Sequence, residues 1–205
     1  MLKNLVYYLI GLVVLSFGVA FMIYAQVGMS TFDGINVNLR ILLNIDIAYV
    51  IFAMSLVCIG FAFWLTPNRV VLLSIVFAVL ISITVSLSEK LLIATLPYND
   101  ITKWIYMALG LIGIPVGAAF MIHSTYPPSA VDTLIKSIHV RFGIKVGTAK
   151  YVTEGIFLII AFSLSLITGE LKSTIGIGTI LLALSAGYIL QFTMNFLKGR
   201  TKYEN

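Results

Sequence analysis

The stretch GVAFMIYAQVGMSTFD, from Gly18 to Asp33, returns ninety-nine residues later as GAAFMIHSTYPPSAVD, from Gly117 to Asp132, with no gap between the copies. Widened to Gly11–Asp33 against Gly110–Asp132, nine of twenty-three positions are identical. Such a period marks a chain built twice from one unit. The correspondence continues at the same offset, where Asn44-Ile45-Asp46-Ile47-Ala48 parallels Gly143-Ile144-Lys145-Val146-Gly147. After a further six-residue shift, Ser74, Ala78 and Ser82 fall opposite Thr179, Ala183 and Gly187.

What is repeated is hydrophobic. Of the 205 residues, 60% are apolar and 10% charged, against about 25% charged in a soluble domain. Crossing a hydrocarbon core of about 30 Å takes roughly 20 residues of helix. Six runs approach or exceed that length: Leu5 to Ala25, Ile47 to Leu65, Val70 to Leu87, Trp104 to Ile122, Tyr151 to Thr168 and Ile175 to Leu197. The first follows Lys3 but is too long for a signal peptide's apolar region and precedes no small-residue cleavage site, so it reads as a retained span. The fold class expected is an all-α membrane protein, a single membrane domain over 1–205 with repeat one at 5–95 and repeat two at 104–197. Each repeat holds three spans. Three is odd, so the second copy enters the bilayer from the opposite side, the inverted-topology plan of many secondary transporters.

Charge supplies the orientation. With six spans both termini share a side, and that side collects Lys3, Arg69, Lys136, Arg141, Lys145, Lys150, Lys198, Arg200 and Lys202, while Arg40, Lys90, Lys103 and Lys172 fall on the other. Nine basic residues against four place both termini in the cytoplasm. The net charge of +5 is thereby a topology signal, with the bilayer as partner and no need for nucleic acid. Cys58, the single cysteine, lies within a span, so no disulfide framework or thiolate metal site is expected.

After each repeated Ser-x-x-Asp comes a short helix of 12 or 13 residues, too short to span, which lies along the interface or dips in and returns. In the second copy Val131, Leu134, Ile135, Ile138 and Phe142 form an apolar face; Ser129 is placed as N-cap with Asp132 at N3, and Gly143 closes the helix. In the first copy Phe32, Ile35, Leu39 and Leu42 are expected inward and Arg40 outward, with Asn44 at the end.

These residues, with FGIKVGTAKYVTEG and IGIGTILLALSAGYIL, make the chain similar to the YczE/YyaS/YitT group of bacterial integral membrane proteins, the YczE type most of all. The resemblance covers nearly the whole chain and implies a multi-pass protein of the bacterial plasma membrane, without the soluble C-terminal domain of the longer YitT-like members. It brings no settled substrate. Where that pattern often has an acid after the small-residue stretch of the last span, this chain has Gln191, which weakens proton coupling at that position.

The candidate substrate- or ion-binding residues are the polar groups in or beside the spans. Asp33 and Asp132, with Ser30 and Ser129, either cap the short helices or sit where two helix N-termini offer N–H groups to an anion. Tyr24 and His123 occupy matched positions and are gate candidates. Glu154, read as the only acid inside a span, lies one turn from Lys150, close enough for an ion pair. Tyr188, Gln191 and Asn195 form a polar stripe on the last span, facing a helix or a water-lined cavity. Thr179, Ala183 and Gly187, like Gly113 and Gly117, read as packing residues, and Pro115 is expected to kink the fourth span.

No catalytic group, metal site or cofactor is expected. The chain has no Gly-x-x-x-x-Gly-Lys-Ser/Thr loop and no His-Glu-x-x-His run, and with only His123 and His139 no serine finds a plausible triad. The leading expectation is a secondary transporter or permease for a small solute or ion, which two copies in a homodimer would enlarge. The alternatives are a substrate-capture subunit of an ATP-driven import complex, or a membrane scaffold that organises a partner through the basic loop from Pro127 to Lys150.

Overall fold

The computed structural model describes residues 2–124, 126 and 129–201. Pro127 and Lys202, on which the basic loop and the charge count drew, lie outside the described residues, as do the side chains of Arg69, Lys198 and Arg200. The described residues form helices and no strand: α1 (Leu2–Ala25), α2 (Thr31–Leu43), α3 (Ile47–Leu65), α4 (Arg69–Thr95), α5 (Thr102–His123), α6 (Ala130–Phe142), α7 (Val146–Thr168), α8 (Leu171–Thr174) and α9 (Ile177–Thr201). Six of them are long and apolar enough to cross a membrane. The short helices α2 and α6 fall where the Ser-x-x-Asp motifs put them.

At the centre, α1 and α5 pack along each other through glycine. A Cβ on Gly117 would lie 2.4 Å from the Leu15 backbone nitrogen, and one on Gly18 would lie 2.6 Å from that of Ile114. The two backbones therefore touch where any side chain would part them, which suits helices that gain from close packing rather than from escaping water. Met22 and Met121 are fully buried beside the crossing. The contacts repeat at the offset of the sequence: Gly11 meets Gly117 and Met121, while Gly110 meets Gly18 and Met22. α5 runs unbroken through the buried Pro115.

The short helices cross over between the halves. α2 packs along α7, and α6 packs along α3. The Asn38 amide donates to the Ser165 hydroxyl at 2.9 Å, and the Thr66 hydroxyl donates to the Ser137 hydroxyl at 2.7 Å. Thirty-eight and 137 differ by ninety-nine, as do 66 and 165. At the end away from the termini, the linker after α1 pairs backbone to backbone with the segment before α9: Gly28 N–H to Ser173 O at 3.1 Å, Met29 N–H to Thr174 O at 3.2 Å, and Gly178 N–H to Val27 O at 2.8 Å. Gly28 holds φ at +102°, a conformation that favours glycine.

Two expectations about the spans change. The third span was drawn to Leu87, but α4 continues to Thr95, so Ser88, Glu89 and Lys90 are helical. The Thr179–Ala183–Gly187 stripe does not pack: a Cβ on Gly187 would meet nothing within 4 Å, and Ala183 is exposed. α4 packs on α1, α3 and α6, whereas α9 packs chiefly along α5, which leaves that stripe on an uncovered face.

Candidate functional site

The two repeated caps form as the sequence anticipates. The Ser30 hydroxyl accepts the Asp33 N–H at 3.1 Å and donates to the Asp33 carboxylate at 2.5 Å. Ser129 does the same for Asp132, at 3.0 Å and 2.6 Å. Each serine thus satisfies one of the N–H groups that a helix start leaves unpaired. The surroundings differ. Asp33 is 9% exposed, while Asp132 is open at the surface.

α2 lies lengthwise on α7, so its first turn reaches the middle of that helix. Phe32 packs against Phe157 with tilted rings at a centroid separation of 5.6 Å. The Thr31 hydroxyl donates to the Glu154 carboxylate. Glu154 turns to this contact rather than to Lys150, and no Lys150–Glu154 ion pair forms among the described residues. Asp33 and Glu154 come from opposite halves of the chain, and Glu154 meets the first turn of α2 through Thr31. Two carboxylates at the start of α2 leave nothing there to attract an anion.

Further along α2, Asn38 is fully buried and its bonds are complete: its amide donates to Gly34 O at 2.7 Å and to Ser165, and its oxygen accepts from Thr168. Asn36 is the opposite case. It is 1% exposed, and neither its amide nitrogen nor its oxygen has a partner. A buried polar group left unsatisfied costs about 1–3 kcal/mol, so Asn36 stands out in an otherwise well-paired helix.

The remaining charges beside α2 neutralise one another. Arg40, expected outward, instead pairs with Glu89 of α4, which is 5% exposed and is a second acid within a span. Leu42, expected inward, is 45% exposed. Asp46 accepts from Lys90 at 2.5 Å, from Ala48 N–H at 2.9 Å and from Ser86 at 2.7 Å. These bonds hold its carboxyl down at about 2.

Other candidates lie elsewhere. The Tyr24 hydroxyl donates to Leu96 O at 2.9 Å, at the end of the molecule away from the termini. His123 sets its ring edge-on to Tyr7 at 4.9 Å, near the termini. The two therefore belong to opposite ends and not to one mouth. Gln191 donates to Asn195 at 3.1 Å, both on the exposed face of α9. Of the sequence candidates, Ser30, Asp33 and Glu154 come together at the first turn of α2, joined by Thr31, which the sequence reading passed over along with the buried Asn36. No hydropathy or motif signal marks Thr31. Nor does one mark Asn36, whose segment is buried on every side.

An all-helical bundle of six long apolar helices is a multi-pass membrane protein. A profile described as "Family of unknown function (DUF6198)" matches residues 2–195, and the chain belongs to that family. It is 26% identical over 192 residues to an uncharacterized protein, YyaS, of Bacillus subtilis (strain 168), covering 92% of this chain and 90% of that protein. No solved structure matches the chain significantly. The likeness to YyaS agrees with the motifs and does not extend to the narrower YczE assignment.

Proposed function

We propose that the chain is a secondary transporter for a small solute, built from two inverted-topology repeats with both termini in the cytoplasm. The observation that carries this reading is the exchange of short helices between the halves, α2 on α7 and α6 on α3, with the Asn38–Ser165 and Ser137–Thr66 contacts recurring at an offset of ninety-nine. Inverted repeats bind near the midplane at the repeat interface and alternate access by moving one half against the other. The Thr31–Glu154 contact joins the halves beside the middle of α7.

A thermal-shift screen of the purified protein against small metabolites, followed by flux into liposomes, tests this. A ligand at 100 times its Kd stabilises the native state by about 2.7 kcal/mol, and the same compound should then cross the bilayer with the protein alone. Co-purification of an ATP-hydrolysing module on which uptake depends would sink the reading in favour of a capture subunit. For orientation, a cysteine replacing Lys136 should label from the cytoplasm and one replacing Asp100 from outside.

A further inference from the structure

The last helix of each half is held differently. α4 lies against α1, α3 and α6, and its stripe of Ser74, Ala78 and Ser82 is at most 3% exposed. The Ser74 and Thr133 hydroxyls bond at 3.0 Å where α4 meets α6. Further along the same stripe, Ser86 donates to Asp46 and Lys90 pairs with that carboxylate, at the end away from the termini. The offset of 105 residues that sets Thr179, Ala183 and Gly187 opposite Ser74, Ala78 and Ser82 also sets Gln191 opposite Ser86 and Asn195 opposite Lys90. Lys145 stands opposite Asp46 at the offset of ninety-nine. Donor and acceptor have changed places between the halves. A carboxylate met by a hydroxyl and an ammonium in the first corresponds to an ammonium and two amides, whose oxygens accept, in the second.

In this structure the second set stands apart. Gln191 and Asn195 bond each other on an exposed face, Lys145 is exposed, and among the described residues α9 packs on neither α7 nor α2 as α4 packs on α3 and α6. The start of α9 is nevertheless fixed. Its Gly178 N–H bonds Val27 O at 2.8 Å, and the Thr179 hydroxyl donates to Thr174 O at 3.4 Å, beside Gly34 of α2. α9 thus leaves α2 and α7 as it runs toward the end that holds the termini.

We infer that the structure is one of two states of a bundle that rocks: in the other, α9 lies along α7 as α4 lies along α3 here, and Lys145 donates to the Gln191 and Asn195 oxygens. This deepens the transporter proposed above and rests on its inverted repeats, whose halves exchange conformations as access alternates. The small residues of the α9 stripe leave room for that approach. α1, α4, α5 and α9 move as one group against α2, α3, α6 and α7, so closing α9 on α7 beside the termini loosens α4 from α3 at the far end. Charge explains which state is seen. Two ion pairs, Asp46–Lys90 and Arg40–Glu89, hold the far end shut. At the matching positions Lys145 has only neutral amides to meet, and His139 and Met194 replace Arg40 and Glu89. The closure beside the termini is therefore the weaker of the two. With both termini cytoplasmic, the state seen here opens to the cytoplasm.

The test is cross-linking of the full-length protein in membranes, with Cys58→Ser removing the native thiol and a short thiol-reactive bridge joining introduced pairs. Val146→Cys with Leu190→Cys reports the second closure, because their counterparts Ile47 and Val85 share one buried core here, and the pair leaves Lys145, Gln191 and Asn195 in place. It should link slowly within one chain. Lys90→Ala releases an exposed ion pair at the far end and should speed that link roughly two- to fivefold. Asn195→Asp gives Lys145 a charged partner and should speed it by a similar factor, a gain that Lys145→Ala should cancel. Thr66→Cys with Ser137→Cys, whose hydroxyls already meet within one group, should link at a rate that Lys90→Ala does not change. A rise there as well would mean general loosening and count against the motion. No 146–190 link within one chain, in wild type or in Lys90→Ala, would overturn the second state. Links between chains alone would overturn it too and make the α9 stripe a face for a second copy. A gain in Asn195→Asp that survives Lys145→Ala would remove Lys145 as the partner. Linking that obeys these variants without flux of any solute would remove the transporter and keep the two states, whereas flux with no such link would remove this motion alone.

Discussion

α2 and α6 carry the same Ser-x-x-Asp cap, closed at 3.1 Å in one and 3.0 Å in the other, yet one aspartate is 9% exposed and the other lies open. The cap is therefore not what separates them. At the offset of ninety-nine, Thr31 stands opposite Ala130, Asn36 opposite Ile135, Asn38 opposite Ser137 and Glu154 opposite Ser55. Apart from the shared cap, each of these polar residues in or beside α2 has an apolar or smaller counterpart in or beside α6. A common backbone frame holds both short helices, and a few side chains give one of them a polar interior.

The largest consequence should fall on Asn38. Asn38→Ala removes a buried amide and strips Ser165 and Thr168 of a partner, and should cost about 3 kcal/mol in equilibrium unfolding. Its counterpart Ser137→Ala should cost only about 1 kcal/mol, since Ser137 is equally buried but bonds only Thr66 among the described residues; equal losses would mean that the fuller bonding of Asn38 does not distinguish the helices. Next come the caps. Ser30→Ala should cost about 2 kcal/mol and Ser129→Ala about 1 kcal/mol, since the first also leaves a buried carboxylate without its hydroxyl.

A smaller effect lies one turn beyond each short helix. Asp46 caps α3 by accepting the Ala48 N–H at 2.9 Å, while Lys145, at the matching position before α7, makes no side-chain cap. Lys145→Asp should stabilise the protein by about 1 kcal/mol, and an unchanged melting temperature would count against the matched geometry. The pH dependence of Asp46 should be smallest. Its carboxyl is held at about 2 in the fold, below about 3.9 for a free aspartate, so its stabilisation is fully present above the unfolded value and is lost as pH falls toward 2. Lys90 is 63% exposed, and screening should keep that loss under about 1 kcal/mol. Asp46→Asn should flatten the acid limb of the melting curve.

The spans were legible because apolar length alone identifies them: the second matches Ile47–Leu65 residue for residue. The short helices were legible through their caps. Glu89 was not, because a hydropathy run ends at the first charges, while α4 carries Glu89 and Lys90 inside the helix once Arg40 and Asp46 arrive to meet them. Those partners are 49 and 44 residues away in sequence (89 − 40 and 90 − 46), and no local pattern reports them. Asn36 was missed for a related reason. An amphipathic reading assigns one buried stripe, but α2 is enclosed from Asp33 through Asn38, so its polar residues are inside as well. Burial on every side leaves no periodicity to read.

The central crossing also sets the order in which the chain can be assembled. Gly11 of α1 waits for Gly117 of α5, and at the 5–20 residues per second of synthesis the partner emerges roughly 5–20 s later. Through that interval the nascent α1 stands in lipid with its glycine face filled only by acyl chains, and a ribosome stalled before α5 would strand it there.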